Sequence, residues 1–176
     1  MTKLNEHIFL IGFMGVGKTS TSHQLSRKLK VKEIDTDAMI VEEEGRSISD
    51  IFDTEGEDYF RSVETGILDK IKDMKPCIVS CGGGMVMREI NVNKMKEMGK
   101  IILLTATPET IFEHVRYSTN RPLLNGNMNI QYIKKLMDAR EPKYTAAADI
   151  VFKTDGLTPD KVADELIKLI GDSKSA

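Results

Sequence analysis

A run of glycines followed by a lysine and a threonine is the segment whose residue types most clearly indicate chemistry. Residues 12–19 read GFMGVGKT and follow the apolar run IFLI at 8–11. Backbone N–H groups can surround a phosphate chain closely only where no side chain intervenes, which glycine allows. The spacing G-x-x-x-x-G-K-[ST] is the phosphate-loop pattern, and a helix after it would direct its positive end at the same anion. The alternative is a glycine-rich turn with an incidental lysine.

The phosphate-loop pattern predicts which residues would hold a nucleoside triphosphate. Lys18 would reach the β- and γ-phosphates, and the Thr19 hydroxyl would bind Mg²⁺. The ATP-binding residues predicted from this segment are Gly12, Met14, Gly15, Val16, Gly17, Lys18, Thr19 and Ser20. A guanine-specific switch would carry N-K-x-D, but the NKMK segment at 93–96 has Lys96 at the aspartate position.

Two carboxylates and a second glycine run follow later apolar segments. Asp35 and Asp37 lie in EIDTDAMI (33–40), at the end of a short strand, where ligands of open α/β sheets bind. One could join the shell of a metal and the other receive a hydroxyl proton; the alternative is a helix N-cap and a solvated acid. Gly82, Gly83 and Gly84 favour close backbone approach to a small polar ligand, or else form a strained tight turn.

Three arginines are candidates for anion recognition. Arg61 and Glu64 are i, i+3 neighbours in EDYFRSVE (57–64), and on spacing alone an exposed surface pair is the simpler interpretation. The alternative is that Glu64 orients Arg61 to bind a carboxylate or phosphate through two N–H groups. Arg121, before Pro122, and Arg140 each read as solvated when taken alone, but the three together indicate an anionic ligand.

The elements that must position these residues alternate between short apolar runs and helical spacing. The runs cover 8–11, 31–34, 77–80, 101–104 and 150–152. In the last helical segment, Thr158 is a predicted N-cap and Pro159 the first helical residue. The alternation predicts an α/β fold with a parallel sheet covered by helices on both faces. The Asn-, Gly- and Ser-rich segment 116–129 is predicted to be a long, functional loop.

Composition limits the remaining classes of protein. The chain has 176 residues, 40% hydrophobic and 30% charged, which suits one globular domain. A net charge of −2 gives no basic field for nucleic acid or membrane. Apolar runs are too short to span a bilayer, and the polar first residues lack a signal-peptide core, so we expect a cytoplasmic protein. Cys77 and Cys81 are expected to be buried, reduced thiols.

Taken together, these motifs resemble the shikimate kinases. The resemblance rests on GFMGVGKT (12–19), DTD (35–37), FR (60–61), GGG (82–84), RPLL (121–124), and Arg140 with Tyr144, and it extends over about residues 8–170. It implies a P-loop NTPase fold of the nucleoside-monophosphate-kinase-like type, with a five-stranded parallel sheet and a lid. It also implies transfer of the ATP γ-phosphate to the 3-hydroxyl of shikimate with Mg²⁺, in chorismate and aromatic amino-acid biosynthesis, by a monomer.

The resemblance also implies roles for individual residues. Asp37 would bind the accepting hydroxyl and act as base, while Asp35 would lie on the magnesium side. Arg61 and Arg140 would bind the shikimate carboxylate, with Gly82 to Gly84 as the backbone wall. The remaining roles fall to four side chains: Phe52 and Phe60 on the apolar side, Arg116 against adenine, and Arg121 beside Lys18 on the transferring phosphoryl group.

The same resemblance divides the single domain, residues 1–176, into functional parts. A lid would cover about residues 114–128 and a shikimate-binding segment about 35–64. Two other classes of protein stay open at this point. One is a kinase for another small acceptor, such as gluconate or a nucleoside monophosphate, and the other is a nucleotide-dependent switch.

Overall fold

Strands and helices alternate along the part of the chain that the computed structural model describes, residues 3–116 and 129–172. The strands are β1 (His7–Ile11), β2 (Glu33–Asp35), β3 (Ile78–Ser80), β4 (Gly99–Thr105) and β5 (Ile150–Lys153). The helices are α1 (Lys18–Leu29), α2 (Thr36–Glu44), α3 (Ile48–Glu55), α4 (Glu57–Lys72), α5 (Glu89–Met98), α6 (Pro108–Val115), α7 (Ile130–Ala147) and α8 (Pro159–Asp172). A short 3₁₀ helix, Met85–Met87, precedes α5.

The five strands form one parallel sheet in the order β2-β3-β1-β4-β5. All residues of β1 and β3 are buried, as expected for central strands with helices on both faces. The predicted α/β fold is therefore confirmed. None of the described helices combines the length and the apolar character that crossing a membrane requires.

The register of the sheet places the predicted functional segments at one edge. Asp35, the last residue of β2, lies beside Ser80, the last residue of β3, and Ser80 lies beside Leu10 of β1. The glycine-rich loop, the DTD segment and the second glycine run all leave the sheet at these carboxyl ends. Ligands of open parallel sheets bind at this edge.

The second strand begins later than the apolar run 31–34 predicts. Helix α1 ends at Leu29, and Lys30 adopts a left-handed conformation with φ of 55°. The Val31 N–H then donates to the Ser26 carbonyl, which closes the helix end. Val31 is therefore part of the helix termination, and pairing with β3 starts at Glu33.

Helix α7 continues past Pro142, although a proline inside a helix usually ends or kinks it. The helix runs to Ala147, although Pro142 lacks the N–H that would donate to the carbonyl of residue 138. Tyr144 is buried beyond the proline, and its hydroxyl donates to the Gly83 carbonyl at 2.7 Å. This anchoring holds the last turns in place and sets Arg140 and Tyr144 one turn apart on the same side of the helix.

Both cysteines lie in the core as free thiols, which confirms the expectation from the sequence. Burial raises the pKa of Cys77 to about 11. Burial likewise raises the pKa of Cys81. Neither thiol is therefore ionised near neutral pH, and both act as small apolar groups.

His7 makes the stability of the fold depend on pH. It is buried at the start of β1, and its Nδ1 accepts the Cys77 N–H at 3.3 Å. Burial lowers the pKa of His7 below 6.5, against an opposing hydrogen bond with the backbone at Ile71. As the pH falls below 6.5, His7 takes up a proton in the unfolded chain before it does so in the folded chain. His7 therefore contributes stability above about pH 6.5 that is lost as the pH falls.

We expect His7→Asn to reduce the acid sensitivity of the fold. The free energy of unfolding in urea, measured at pH 7.5 and 5.5, should fall less in this variant than in the wild type. The His7 contribution is at most about 1.4 kcal/mol per pH unit. An equal fall in the His7 variant and the wild type would contradict the prediction.

Candidate active site

The glycine-rich loop adopts a backbone that side chains would prevent. Gly12, Gly15 and Gly17 have φ values of 147°, 81° and 96°. A Cβ at Gly12 would also lie 2.5 Å from the Leu104 carbonyl oxygen. Gly17 is the N-cap of α1 and supplies no side-chain acceptor to the first turn. The N–H groups at this helix end therefore lack a side-chain cap and suit an anion.

Lys18 lies across the loop it belongs to. Its Nζ donates to the carbonyl oxygens of Gly12 at 2.6 Å and Phe13 at 3.2 Å. The ammonium group thereby closes the loop and stays beside the cavity that the loop borders. The loop and α1 follow β1 directly, so the phosphate-loop interpretation of the sequence agrees with the local structure.

A cavity of about 440 Å³ lies between the phosphate loop and the carboxyl ends of the strands. Its walls include most of the predicted site: Met14, Gly15, Val16, Gly17, Lys18, Thr19, Ser20, Asp35, Asp37, Gly82 and Gly83. Two carboxylates and one ammonium group thus share a cavity bordered by a helix N-terminus. This arrangement can bind a phosphate chain and, next to it, a second molecule with a hydroxyl group.

The rest of the cavity is lined by residues that the sequence did not assign to the site. They are Thr21, Ser80, Cys81, His114, Thr154, Leu157, Pro159 and Val162. The sequence marked Thr158 and Pro159 only as a helix start. That start is confirmed, since the Thr158 hydroxyl accepts the Lys161 N–H at 3.3 Å. The local sequence does not indicate that the loop after β5 reaches the phosphate loop. That contact depends on the order of the strands in the sheet.

Asp155 fastens this loop to helix α6. Its Oδ1 accepts the Thr110 hydroxyl at 2.6 Å and the Thr107 N–H at 3.0 Å. Thr107 is the N-cap of α6, so one carboxylate oxygen serves both the helix start and the loop after β5. The wall that contains Thr154 and Leu157 is thereby held at a fixed distance from α6.

The three residues of the DTD segment make different contacts. Asp35 is the N-cap of α2, and its Oδ1 accepts the Ala38 N–H at 3.0 Å. Asp35 and Asp37 both border the cavity, so the N-cap interpretation and a ligand role for Asp35 are compatible. Thr36 between them is fully buried, and its hydroxyl accepts the Gly82 N–H at 2.9 Å. This bond ties the two carboxylates to the second glycine run.

Each of the three consecutive glycines makes room for one side chain of the predicted acceptor site. A Cβ at Gly82 would lie 2.6 Å from Asp37 Oδ1, and one at Gly83 would lie 2.9 Å from a terminal nitrogen of Arg140. A Cβ at Gly84 would overlap the Arg61 guanidinium group. The run does form a turn, since the Met85 N–H donates to the Gly82 carbonyl at 3.1 Å, but none of the three glycines has a positive φ, so the turn is not strained. The absence of side chains here leaves space for three side chains that the sequence predicts to be functional.

The Arg61–Glu64 pair is not on the surface, contrary to the simpler interpretation of its spacing. Arg61 donates to Glu64 Oε1 at 2.6 Å, and the Glu64 side chain is only 1% exposed. Arg61 is 15% exposed and also contacts Glu57 at 3.4 Å. Burial raises the pKa of Glu64, although the bond from Arg61 opposes the shift. Glu64 holds the guanidinium group in a fixed orientation, as the alternative interpretation proposed.

Four side chains are predicted to surround the acceptor carboxylate and ring, and the structure links them through a series of contacts. Arg61 and Arg140 face the glycine run, but neither they nor Phe52 and Phe60 border the cavity itself. The two phenylalanine rings pack with centroids 4.8 Å apart, and the Arg61 guanidinium lies 5.4 Å from the Phe60 centroid. The structure therefore brings Arg61 and Arg140 to the run and the two phenylalanine rings to Arg61.

The two remaining predicted arginines lie at or beyond the end of α6. Arg116 contacts Glu113 at 3.0 Å and lies 5.7 Å from the Phe112 ring, and His114 rather than Arg116 borders the cavity. Its predicted contact with adenine stays a prediction. Arg121 and residues 117–128 of the predicted lid lie outside the described residues.

Comparison with known proteins agrees with this geometry. A family model described as shikimate kinase matches residues 14–171. A shikimate kinase of Thermodesulfovibrio yellowstonii is 40% identical over 93% of this chain and 94% of its own length. One of Dehalococcoides mccartyi is 40% identical over 93% of both chains. The solved structure of shikimate kinase from Acinetobacter baumannii in complex with shikimate is 30% identical, with a TM-score of 0.90 over 96% of this chain and 94% of that one.

A more distant solved structure shares the fold alone. The gluconokinase from Sinorhizobium meliloti is 12% identical, with a TM-score of 0.59 over 95% of this chain and 92% of that one. A likeness at this identity gives no information about the acceptor.

Of the two carboxylates that pair with Arg61, we expect the buried Glu64 to contribute far more to stability than the exposed Glu57. Glu64→Gln leaves a guanidinium group on a side chain that is only 15% exposed without its closest counter-charge, so the free energy of unfolding should fall by about 3 kcal/mol. Glu57→Gln removes a carboxylate that is 67% exposed from the same guanidinium and should cost under about 1 kcal/mol. Urea unfolding measures both. Equal losses would show that Glu64 is not the anchor of Arg61.

Proposed function

The chain belongs to the shikimate kinase family, and on that premise we propose that it transfers the γ-phosphoryl group of ATP to the 3-hydroxyl of shikimate. The products are shikimate 3-phosphate and ADP, in the route to chorismate and the aromatic amino acids. The observation that carries the proposal is the glycine run 82–84. It brings Asp37, Arg61 and Arg140 together beside a phosphate-loop cavity.

The acceptor is proposed to bind where these three side chains meet. Shikimate carries a carboxylate and hydroxyl groups, so it needs cations at one end and a hydrogen-bond acceptor at the other. Arg61 and Arg140 supply the cations and Asp37 supplies the acceptor. A guanidinium has five N–H donors, so Arg61 can keep its bond to Glu64 and still bind a carboxylate. Phe52 and Phe60 would line the apolar side of the ring.

Phosphoryl transfer requires positioning and charge neutralisation more than covalent catalysis. Asp37 is proposed to accept the proton of the attacking hydroxyl, within hydrogen-bond reach of it. Lys18 is proposed to exchange its carbonyl partners for the β- and γ-phosphate oxygens and to stabilise the charge that develops there. Arg121 is proposed on its motif alone to add a second positive charge, as part of a lid over about residues 114–128.

Thr19 and Asp35 are proposed to hold Mg²⁺, with Asp35 acting through water. Bound Mg²⁺ would neutralise charge on the β- and γ-phosphates. It prefers oxygen ligands, keeps several waters and takes few ligands from the protein. Within the described parts of the chain, no three His, Cys, Asp or Glu side chains cluster closely enough to hold a metal by themselves. A hydroxyl and one carboxylate on the cavity wall fit a cation that arrives with its nucleotide.

The segment 35–64 is proposed as the shikimate-binding part of one kinase domain. It contains α2 and α3 and the first half of α4, and thus Asp37, Phe52, Phe60 and Arg61. A monomer in the cytoplasm stays a prediction from the sequence and its resemblance.

The decisive test is ADP release from Mg·ATP with different acceptors. Shikimate should stimulate release strongly, while gluconate and a mixture of nucleoside monophosphates should not. Stimulation by one of the other acceptors alone would replace the proposed substrate. ADP release with none of the acceptors added would instead indicate a nucleotide-hydrolysing switch.

We expect Asp37→Asn to lower kcat about a hundred- to ten-thousandfold, the usual contribution of a general base. Its Kd for Mg·ATP, measured by calorimetry, should stay nearly unchanged because Asp37 faces the acceptor side of the cavity. Asp73→Asn, at an exposed carboxylate that follows α4 and lies outside the segment 35–64, serves as the matched control and should keep full activity. Normal turnover by the Asp37 variant would remove this residue from the reaction.

We expect Arg140→Ala to raise the KM for shikimate about ten- to a hundredfold, as for the loss of a charged hydrogen bond. The KM for ATP should change little. Arg27→Ala, at an exposed arginine of α1, provides the comparison. Steady-state kinetics with each substrate varied separately measures both constants. An unchanged KM for shikimate would place Arg140 outside the acceptor site.

A further inference from the structure

His114 touches the phosphate loop directly, and no motif in the sequence indicates this contact. It lies in the last turn of α6, and its Nδ1 is 2.6 Å from the Gly15 carbonyl oxygen. A carbonyl oxygen can only accept, so Nδ1 carries the hydrogen and donates it. The imidazole ring also borders the cavity between the loop and the strand ends.

At the tip of the loop, both polar groups of one peptide unit are hydrogen-bonded. The carbonyl of the Gly15–Val16 peptide accepts from His114, and its N–H donates to the Phe13 carbonyl at 3.2 Å. Gly15 also packs tightly against α6, because a Cβ there would lie 2.5 Å from Val115 Cγ1. The Gly15 conformation, with φ of 81°, is thus held by α6 through one hydrogen bond and one close apolar contact.

We propose that His114 is a positioning residue for nucleotide binding, which acts by holding the Gly15 carbonyl away from the phosphate site. A phosphate chain binds where N–H groups converge, and a carbonyl oxygen that turned toward it would repel it. In the described residues the Nδ1–H of His114 is the donor that keeps this carbonyl directed at α6. The proposal rests on the nucleotide half of the proposed function and is independent of the acceptor.

The hydrogen bond, and not the charge of the ring, carries this role. Nδ1 bears a hydrogen both in the neutral tautomer that the contact requires and in the protonated ring. A neutral side chain with a donor at the same place should therefore replace His114. Asparagine places its Nδ2 at the position of Nδ1, whereas glutamine places its amide nearer to Nε2.

The test is calorimetric titration of Mg·ADP into four full-length variants, because direct binding does not depend on turnover or on shikimate. His114→Ala and His114→Gln should each raise the Kd about three- to tenfold, the range for one lost hydrogen bond. His114→Asn should stay within about twofold of the wild type. His23→Ala removes an exposed histidine of α1 that lies outside the cavity, and it should bind normally.

Three outcomes would overturn the proposal. If His114→Asn binds as weakly as His114→Ala, charge or ring packing is responsible and not the Nδ1 donor. If the alanine variant binds as tightly as the wild type, the contact does not position the loop. If the glutamine variant binds normally, donor position is irrelevant. A chain that binds Mg·ADP in this pattern but is not stimulated by shikimate would leave this inference intact and overturn only the acceptor assignment.

Discussion

The proposed acceptor end of the site depends on the space that three consecutive glycines leave open. Asp37 comes from the start of α2, Arg61 from α4 and Arg140 from α7, and no two of these elements adjoin in the chain. They meet because each of Gly82, Gly83 and Gly84 leaves open the space of a Cβ, which one of them occupies. A side chain at any of the three positions would displace Asp37, Arg140 or Arg61 from the run.

Hydrogen bonds to the same run turn this proximity into fixed geometry. Thr36 accepts the Gly82 N–H from the side of α2, and Tyr144 donates to the Gly83 carbonyl from the side of α7. Asn91 is fully buried and donates to the Met85 carbonyl just after the run, while its amide oxygen lies 2.7 Å from the Thr65 hydroxyl of α4. Helices α2 and α7 are therefore bonded directly to the run, and α4 is linked to the residue after it through the Asn91 side chain.

The sequence predicted those features that depend on local spacing. The phosphate loop, the five strands and the start of α8 at Pro159 follow from glycine positions, apolar runs and an N-cap. Features set by distant packing were not predictable. The i, i+3 spacing of Arg61 and Glu64 is the same on an exposed or a buried helix face, and only the packing of α4 distinguishes them. Pro142 predicts a helix end unless the burial of Tyr144 is known, and the contact of His114 joins residues 99 positions apart.

The contacts of Lys18 have a consequence for the order of the phosphate loop. The ammonium group donates to two carbonyl oxygens of its own loop. These oxygens occupy the donors that would otherwise bind phosphate oxygens. The left-handed glycines are therefore already ordered, and their conformational cost belongs to the folding equilibrium and not to binding. A phosphate chain bound as we propose would require the Lys18 side chain to change partners, while the backbone of the loop would keep its conformation.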